Sequence, residues 1–223
     1  MKKRFVTFCM AAGMVCLTAG QPSFAEADSV LTGSCGEQAS YTFDTETGVL
    51  TISGSGDTDE YLSTAAPWHS IRQQIRSLVV EDGITGIGAF AFYGCGSMTE
   101  LTMPDSLNRI GVQAFAYCSG LSAVTVPAHV TEIGSGTFLC CDALCEINVS
   151  PENTAYSAAG GVLFNKAQTA LLQYPTGAVQ TAYAIPDGVT EIGKEAFFAC
   201  PALQEITMPD SVTQIDDTAF YRC

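Results

Sequence analysis

Basic residues are scarce in this chain of 223 residues, which has 9 Lys and Arg against 23 Asp and Glu. The formal net charge is −14 at pH 7 with the two histidines neutral. A field of this sign repels the phosphates of nucleic acids and of anionic membrane surfaces. The composition therefore argues against nucleic-acid and anionic-lipid binding. The negative charge is typical of a soluble surface. It would also suit a cationic partner, but no other feature of the sequence points to one.

Residues that commonly carry catalysis are also few. The two histidines are His69 and His129, and neither has a plausible Ser or Cys partner near it along the chain. The sequence contains no phosphate-binding loop, dinucleotide fingerprint or nucleophile elbow. We therefore predict no catalytic residue and no cofactor, and an enzyme is the least favoured class of function.

One cluster of acidic residues and one of cysteines are candidate metal sites. Asp57, Asp59 and Glu60 lie in a segment rich in Gly and Ser and could hold Ca²⁺, but they lack the spacing of an EF-hand loop. The cysteines at 140, 141 and 145 have the wrong spacing for zinc and no nearby His. We interpret the acidic segment as a solvated loop and predict no metal site.

Long apolar runs are lacking except at the start of the chain. Lys2-Lys3-Arg4 precedes an apolar stretch from Phe5 to Ala19, and small residues typical of a cleavage site follow up to Ala27. This pattern predicts a secretory signal peptide over residues 1–27, which is too short to span a membrane. Without it, six basic and 22 acidic residues leave a net charge of −16. We predict a secreted or extracellular cell-surface protein with no membrane span.

A 23-residue repeat dominates the remainder of the chain. Units begin at Ile84, Leu107 and Val130, and again at Val189 and Val212. Counted from these residues, apolar or Cys side chains recur at positions 4, 9, 12, 15 and 18. Those columns are Ile87, Ile110, Ile133, Ile192 and Ile215; Phe92, Phe115, Phe138, Phe197 and Phe220; Cys95, Cys118, Cys141, Cys200 and Cys223; Met98, Leu121, Leu144 and Leu203; Leu101, Val124, Ile147 and Ile206.

Apolar positions at a fixed spacing cannot all be buried inside one unit, but stacked units bury them as columns of a common core. Positions 18 and 20 alternate with a polar position 19, which is the period of a strand. Pro at position 21 lacks the N–H for a ladder, so the strand ends there. Positions 1 to 4 suggest a second extended piece, and the Ala-Phe segment before the Cys suggests one helical or 3₁₀ turn.

The unit Ile-Gly-x-x-Ala-Phe-x-x-Cys-x-x-Leu-x-x-Ile-x-x-Pro resembles the BspA-type leucine-rich repeats of bacterial surface proteins. The resemblance covers about residues 75–223, with seven positions in phase. It implies a leucine-rich-repeat solenoid, mainly β with short helical or 3₁₀ turns and with parallel strands on the concave face.

We expect three parts in the chain. After the signal peptide, residues 28–74 are predicted to cap the solenoid with a β-hairpin around Asp44–Gly48 and a short helix from Pro67 to Leu78. Residues 75–223 form the solenoid, with a hairpin-containing variant unit at about 153–188. The last unit stops at position 12, and we expect this open edge to favour self-association.

The cysteines at position 12 form a column of coils about 4.8 Å apart. Their Cβ atoms should keep that separation, beyond the roughly 3.5–4.5 Å of a disulfide. We therefore predict that the column cysteines are small buried side chains that are not joined to one another. Cys35, Cys140 and Cys145 lie outside the column, and the sequence does not decide whether any of them forms a disulfide.

The outward side chains of the position-17 to position-20 strands form the candidate binding face. A concave solenoid face commonly binds other proteins, and the resemblance implies adhesion to a protein on a host, matrix or neighbouring cell surface. The alternative is a structural spacer, or a fragment of a larger surface protein whose other domains carry function. The predicted face consists of Glu100, Thr102, Thr125, Glu146, Asn148, Glu205 and Thr207, together with the small side chain of Ala123.

Overall fold

The computed structural model describes residues 29–223, so the predicted signal peptide at residues 1–27 lies outside the described part. Within residues 29–223, short strands supply almost all of the regular structure, and the one helix is a 3₁₀ turn at His69–Ile71. The strands in chain order are β1 Val30–Ser34, β2 Gln38–Asp44, β3 Val49–Asp57, β4 Ser77–Val80, β5 Ile84–Ile87, β6 Glu100–Thr102, β7 Arg109–Ile110, β8 Ala123–Val126, β9 Glu132–Ile133, β10 Glu146–Val149, β11 Tyr156–Ala159, β12 Val162–Asn165, β13 Ala170–Gln173, β14 Ala182–Ala184, β15 Glu191–Ile192, β16 Glu205–Thr207 and β17 Gln214–Ile215.

One face of the solenoid is built from the strands that precede the prolines. β4 pairs with β6, β8 with β10, and β14 with β16, always in parallel. Each pairing joins residues 23 positions apart, such as Leu78 with Leu101 and Val124 with Ile147. One repeat is therefore one coil, and the predicted solenoid of parallel strands is confirmed. We number the coils 1 to 6 from Ile84, Leu107, Val130, Asn153, Val189 and Val212.

A second face is formed by the short strands that contain the position-4 isoleucines. β3, β5, β7 and β9 pair successively in parallel, and so do β13, β15 and β17. Ile110 lies beside Ile87 and Ile133 in this ladder. The side chains of Ile87, Ile110 and Ile192 are buried, so this column forms the second wall of the core. Ile215 of the last coil is 51% exposed, contrary to the burial predicted for it.

The Ala-Phe segments contain the predicted short turns, with i→i+3 bonds such as Ala114 N–H to Gly111 and Cys118 N–H to Phe115, and also make a third ladder. The backbone N–H groups of positions 7, 9 and 11 donate to the next coil: those of Gln113, Phe115 and Tyr117 bond to carbonyls at 135, 137 and 139 over 2.7–3.1 Å. Gln113 and Tyr117 have φ of 51° and 61°. A left-handed backbone conformation is costly for L-amino acids. Here the N–H group of each such residue makes a hydrogen bond to the next coil. Because they interrupt the right-handed path, the segment forms separate turns rather than a 3₁₀ helix.

The position-9 side chains stack along the core in two separate columns. Phe115 lies 5.4 Å from Phe92 and 5.8 Å from Phe138, measured between ring centroids. The other column joins Tyr174, Phe197 and Phe220 at 5.3 and 5.1 Å. Trp68 extends the first column by stacking on Phe92 at 5.2 Å. Trp68 and Tyr174 thus occupy the place of the repeat Phe in coils where the motif is absent.

The variant unit separates the two halves of the core. β11, β12 and β13 form an antiparallel meander, one strand more than the predicted hairpin. β12 is buried on both sides: Leu163 packs into the core of coils 1 to 3, whereas Val162 and Phe164 pack into the core of coils 5 and 6. Successive side chains of a strand point to opposite faces, so this single strand closes both cores.

The segment before the repeats covers the first coil. β1, β2 and β3 form an antiparallel sheet, and β3 continues into both ladders by pairing with β4 through Val49–Ile52 and with β5 through Gly56 and Asp57. The predicted helix from Pro67 to Leu78 is wrong in extent: only His69–Ile71 is helical, and residues from Ser77 onward belong to β4. Trp68 and Ile75 are nevertheless buried as the pattern predicts. Across residues 29–223 no helix has the length and apolar character to cross a membrane.

Candidate binding face

The predicted face residues point outward from adjacent strands. The register places Glu146 beside Ala123 and Asn148 beside Thr125 on β10 and β8. Six of the seven predicted residues are exposed, and the seventh, Asn148, is half-buried. The intervening Val124 and Ile147 are buried, so the alternation of the strands fixes which side chains face outward.

The face consists of two patches rather than the continuous column expected from the sequence. The meander of the variant unit lies against β10, where the N–H of Ile147 donates to the carbonyl of Gly161 at 2.9 Å. Glu205 and Thr207 pair with Ala182 and Ala184 on the far side of this insertion. The larger patch therefore comprises the face residues of β6, β8 and β10, and the smaller one those of β14 and β16.

The larger patch is shallow, polar and acidic. A groove runs across it between β6 and β8, and its walls include Thr102, Asp105, Thr125 and Ser150. Glu100 and Glu146 are exposed, and within residues 29–223 neither carboxylate forms an ion pair. No aromatic or Arg anchor of the kind found in binding hot spots lines this groove. The patch can therefore offer carboxylates and hydroxyls, but little apolar contact.

The acidic segment considered for Ca²⁺ is occupied by an arginine. Arg109 reaches back from coil 2, and its Nη2 and Nη1 lie 3.1 Å from Asp57 Oδ2 and 3.1 Å from Glu60 Oε1. Thr85 Oγ1 also donates to Asp57 Oδ1 at 2.7 Å. The Thr85 hydrogen bond and Arg109 lower the pKa of Asp57 against a partial opposing effect of burial. In the described part of the chain no three His, Cys, Asp or Glu side chains are arranged to hold a metal ion.

The two histidines lie in different places and have different partners. His69 Nε2 lies 3.1 Å from Arg72 Nη1, in the 3₁₀ turn of the cap. His129 is exposed, and its Nδ1 lies 2.9 Å from the carbonyl oxygen of Asp105. Neither imidazole is hydrogen-bonded to a Ser or Cys side chain among the described residues.

The cysteine column has a role that the sequence did not predict. The thiols donate to the carbonyl oxygen of the position-9 residue one coil earlier: Cys118 Sγ to Phe92 at 3.3 Å and Cys141 Sγ to Phe115 at 3.2 Å. Burial raises the pKa of Cys95 to about 12 and that of Cys118 well above its usual value. A thiol held in the protonated form is a poor nucleophile, so these side chains serve packing and a weak hydrogen bond.

Alkylation of the unreduced protein should distinguish column from surface thiols. We expect mass spectrometry to find no bridge within the column, because its cysteines are free and the thiols of Cys118 and Cys141 already donate to the coil before them. Cys223 at the end of the column is exposed, contrary to the burial predicted for it, so it should be labelled in the folded protein together with the exposed Cys145. The buried Cys118 should be labelled only after unfolding. A Cys95–Cys118 or Cys200–Cys223 bridge would contradict this prediction.

The repeat matches a known family. The sequence profile described as "BspA type Leucine rich repeat region" matches six copies, over residues 70–167 and 178–223. The chain belongs to the BspA-type leucine-rich repeat family. No curated protein matches it significantly.

Two solved structures of bacterial proteins share the fold of this BspA-type protein. A leucine-rich repeat protein from Eubacterium ventriosum is 27% identical with a TM-score of 0.54, and the match covers 86% of this chain and 63% of that one. The pneumococcal vaccine antigen PcpA is 17% identical with the same TM-score, over 87% of this chain and 68% of that one. The chain thus spans less than two thirds of the Eubacterium protein.

Proposed function

We propose that this BspA-type chain is a secreted or cell-surface module that binds another protein through the strand face. The supporting observation is the larger patch, where Glu100 and Glu146 are exposed without an ion-pair partner within residues 29–223. The predicted signal peptide supports export. The partner would be a protein of a host, matrix or neighbouring cell surface, and no catalysis is involved.

The chemistry of the patch favours a partner with Lys or Arg side chains. Carboxylates spaced along neighbouring strands attract a basic surface, and such attraction acts mainly on the association rate. Exposed charges are screened by salt over about 10 Å at 0.1 M ionic strength. Binding through this face should therefore weaken as the salt concentration rises.

Binding of the chain to immobilised extracellular matrix proteins would test the proposal. A double variant, Glu100→Lys with Glu146→Lys, should lose at least about tenfold in affinity, since like charges across an interface cost several kcal/mol. The matched control is Glu152→Lys with Asp187→Lys, which makes the same charge change at exposed positions outside the face. Equal binding by both double variants would rule out the strand face as the site.

The second candidate function is that of a structural spacer within a larger surface protein. It is favoured by the absence of aromatic or Arg anchors from the groove on the larger patch. A spacer would leave every matrix protein unbound in the same experiment. Binding that responds to the two glutamates would decide against it.

A further inference from the structure

Coil 4 is altered at two places that together explain its length. The chain reaches position 4 at Tyr156, 23 residues after Ile133, and then makes the meander before Leu171 enters the same ladder beside Ile192. Only two residues then separate Leu171 from Tyr174, whose ring stacks on Phe197. Four residues separate Ile192 from Phe197 in the next coil. Coil 4 therefore has an insertion at position 4 and lacks two residues of the following turn.

The missing residues leave a cleft between coils 3 and 5. Its walls include Gly134, Gly136 and Lys194, and its floor includes Leu163, Leu172 and Gln173. The cavity has a volume of about 180 Å³. One water molecule needs roughly 10–15 Å³ of such space, so the cleft has room for a group much larger than a single water.

Main-chain groups on both walls lack the partners that equivalent groups have elsewhere. In coil 2 the N–H groups of Gln113 and Phe115 donate to the next coil. Their counterparts in coil 3, the N–H groups of Gly136 and Phe138, have no acceptor within residues 29–223. Gln173, which would lie opposite Phe138, pairs with Leu163 of β12 instead. The two amides of coil 3 therefore face the cleft as free donors.

The opposite wall presents acceptors. The carbonyl of Lys194 is the equivalent of the Ser135 carbonyl, which accepts from Gln113, yet it has no donor within the described residues. Glu195 Oε2 is a buried atom without a hydrogen-bond partner. It extends toward coil 3, where a Cβ added to Gly136 would lie 2.6 Å from it. Since Gly136 also has φ of 62°, a glycine is favoured here by both conformation and space.

Donors on one wall and acceptors on the other match a peptide main chain, whose residues offer one C=O and one N–H each. The charged groups at the cleft narrow the choice of ligand further. Glu191 and Asp216 line the cleft with Lys194. Glu195 Oε2 lies against Gly136 of the cleft wall, so carboxylates outnumber ammonium groups here. This balance disfavours an anionic ligand and favours a basic side chain.

We propose that the cleft between coils 3 and 5 binds an extended peptide segment carrying a Lys or Arg side chain. The segment's carbonyls accept from the amides of Gly136 and Phe138, and its N–H donates to the Lys194 carbonyl, so that it takes the place of the two missing turn residues. The basic side chain pairs with the carboxylate of Glu195. This mode resembles strand addition, in which main-chain hydrogen bonds supply affinity and side chains supply specificity. The cleft is separate from the strand face and adds a second site to it.

Titration of the ¹⁵N-labelled chain with blocked tripeptides tests the proposal. Acetyl-Gly-Lys-Gly-amide should shift the amide resonances of Gly136 and Phe138 saturably in the millimolar range. Acetyl-Gly-Glu-Gly-amide should bind at least tenfold more weakly. No saturable shift at these amides, or equal shifts from both peptides, would overturn the proposal.

Two variants connect the binding to the cleft. Glu195→Gln keeps the side-chain shape and should weaken the lysine peptide about tenfold, whereas the exposed control Glu152→Gln should not change it. Insertion of Gly-Ser between Leu172 and Gln173 restores the usual turn length and should abolish the shifts. If Glu195→Gln binds like the parent, the assigned role of this carboxylate is wrong.

The strand-face variant separates the two proposals. Glu100→Lys with Glu146→Lys leaves the cleft unchanged and should bind the lysine tripeptide like the parent chain. Loss of matrix binding with retained peptide binding supports both sites. Retained matrix binding by the strand-face variant would contradict the strand face, and loss of peptide binding in the Gly-Ser insertion would still support the cleft.

Discussion

Replacing Phe115 with Ala is expected to lower the free energy of unfolding by about 3–5 kcal/mol. The Phe115 ring is fully buried and lies between the rings of Phe92 and Phe138 in a stacked column. Its removal leaves a cavity in the middle of that column, and the flanking coils are held in place by three ladders. The site can therefore relax little, which is the condition for a large loss.

Urea unfolding of Phe115→Ala and Thr125→Ala gives the comparison. Thr125 belongs to the same coil but is exposed on the strand face, so its truncation should change stability by less than about 0.5 kcal/mol. Similar losses for the two variants would mean that the assignment of inward and outward positions is wrong.

The repeat made the fold predictable because each unit contacts its neighbours in the same way. Once Phe92, Phe115 and Phe138 were in phase, the columns, the parallel pairing and the 23-residue register followed from stacking alone. The left-handed conformation of Gln113 and Tyr117 could not be predicted. Neither residue type favours it, and its cause is a hydrogen bond to a neighbouring coil.

The outward positions of the strand face could be predicted from the sequence, whereas the cleft could not. The period-2 alternation around Val124 and Ile147 was enough to place Thr125 and Asn148 on the outside. The interruption of the face required the path of the meander, and the Arg109–Asp57 ion pair joins residues 52 positions apart. The cleft depends on a two-residue shortening that becomes visible only when Tyr174 is recognised as the substitute for a repeat Phe.

Asn153 is a buried polar residue that no sequence pattern indicated, and its hydrogen bonds hold the start of coil 4. Its side chain is 1% exposed. Nδ2 donates to the carbonyls of Pro127 at 2.7 Å and Val130 at 2.9 Å. Oδ1 accepts from the N–H groups of Ala155 at 2.9 Å and Tyr156 at 2.7 Å. Only a side-chain amide can make all four bonds, because it carries two N–H donors on its nitrogen and an acceptor on its oxygen.

Asn153→Asp should therefore cost about 3–5 kcal/mol at pH 7, comparable to an uncompensated buried charge. The new carboxylate accepts from Ala155 and Tyr156 but faces the two carbonyls without a proton to donate. Burial and these carbonyls raise the pKa of the introduced carboxyl above its value in the unfolded chain, roughly 3.9. The loss is therefore complete above the raised pKa and shrinks as the pH falls toward the unfolded value.

Urea unfolding of the parent and the variant at pH 7 and pH 4 measures this difference. The gap in the free energy of unfolding should be smaller at pH 4, because protonation restores a donor toward one of the two carbonyls. Asn108→Asp makes the same chemical change at an exposed position of coil 2 and should cost little at either pH. A loss for Asn153→Asp that is equally large at both pH values would mean that lost packing, rather than the buried charge, destabilises coil 4.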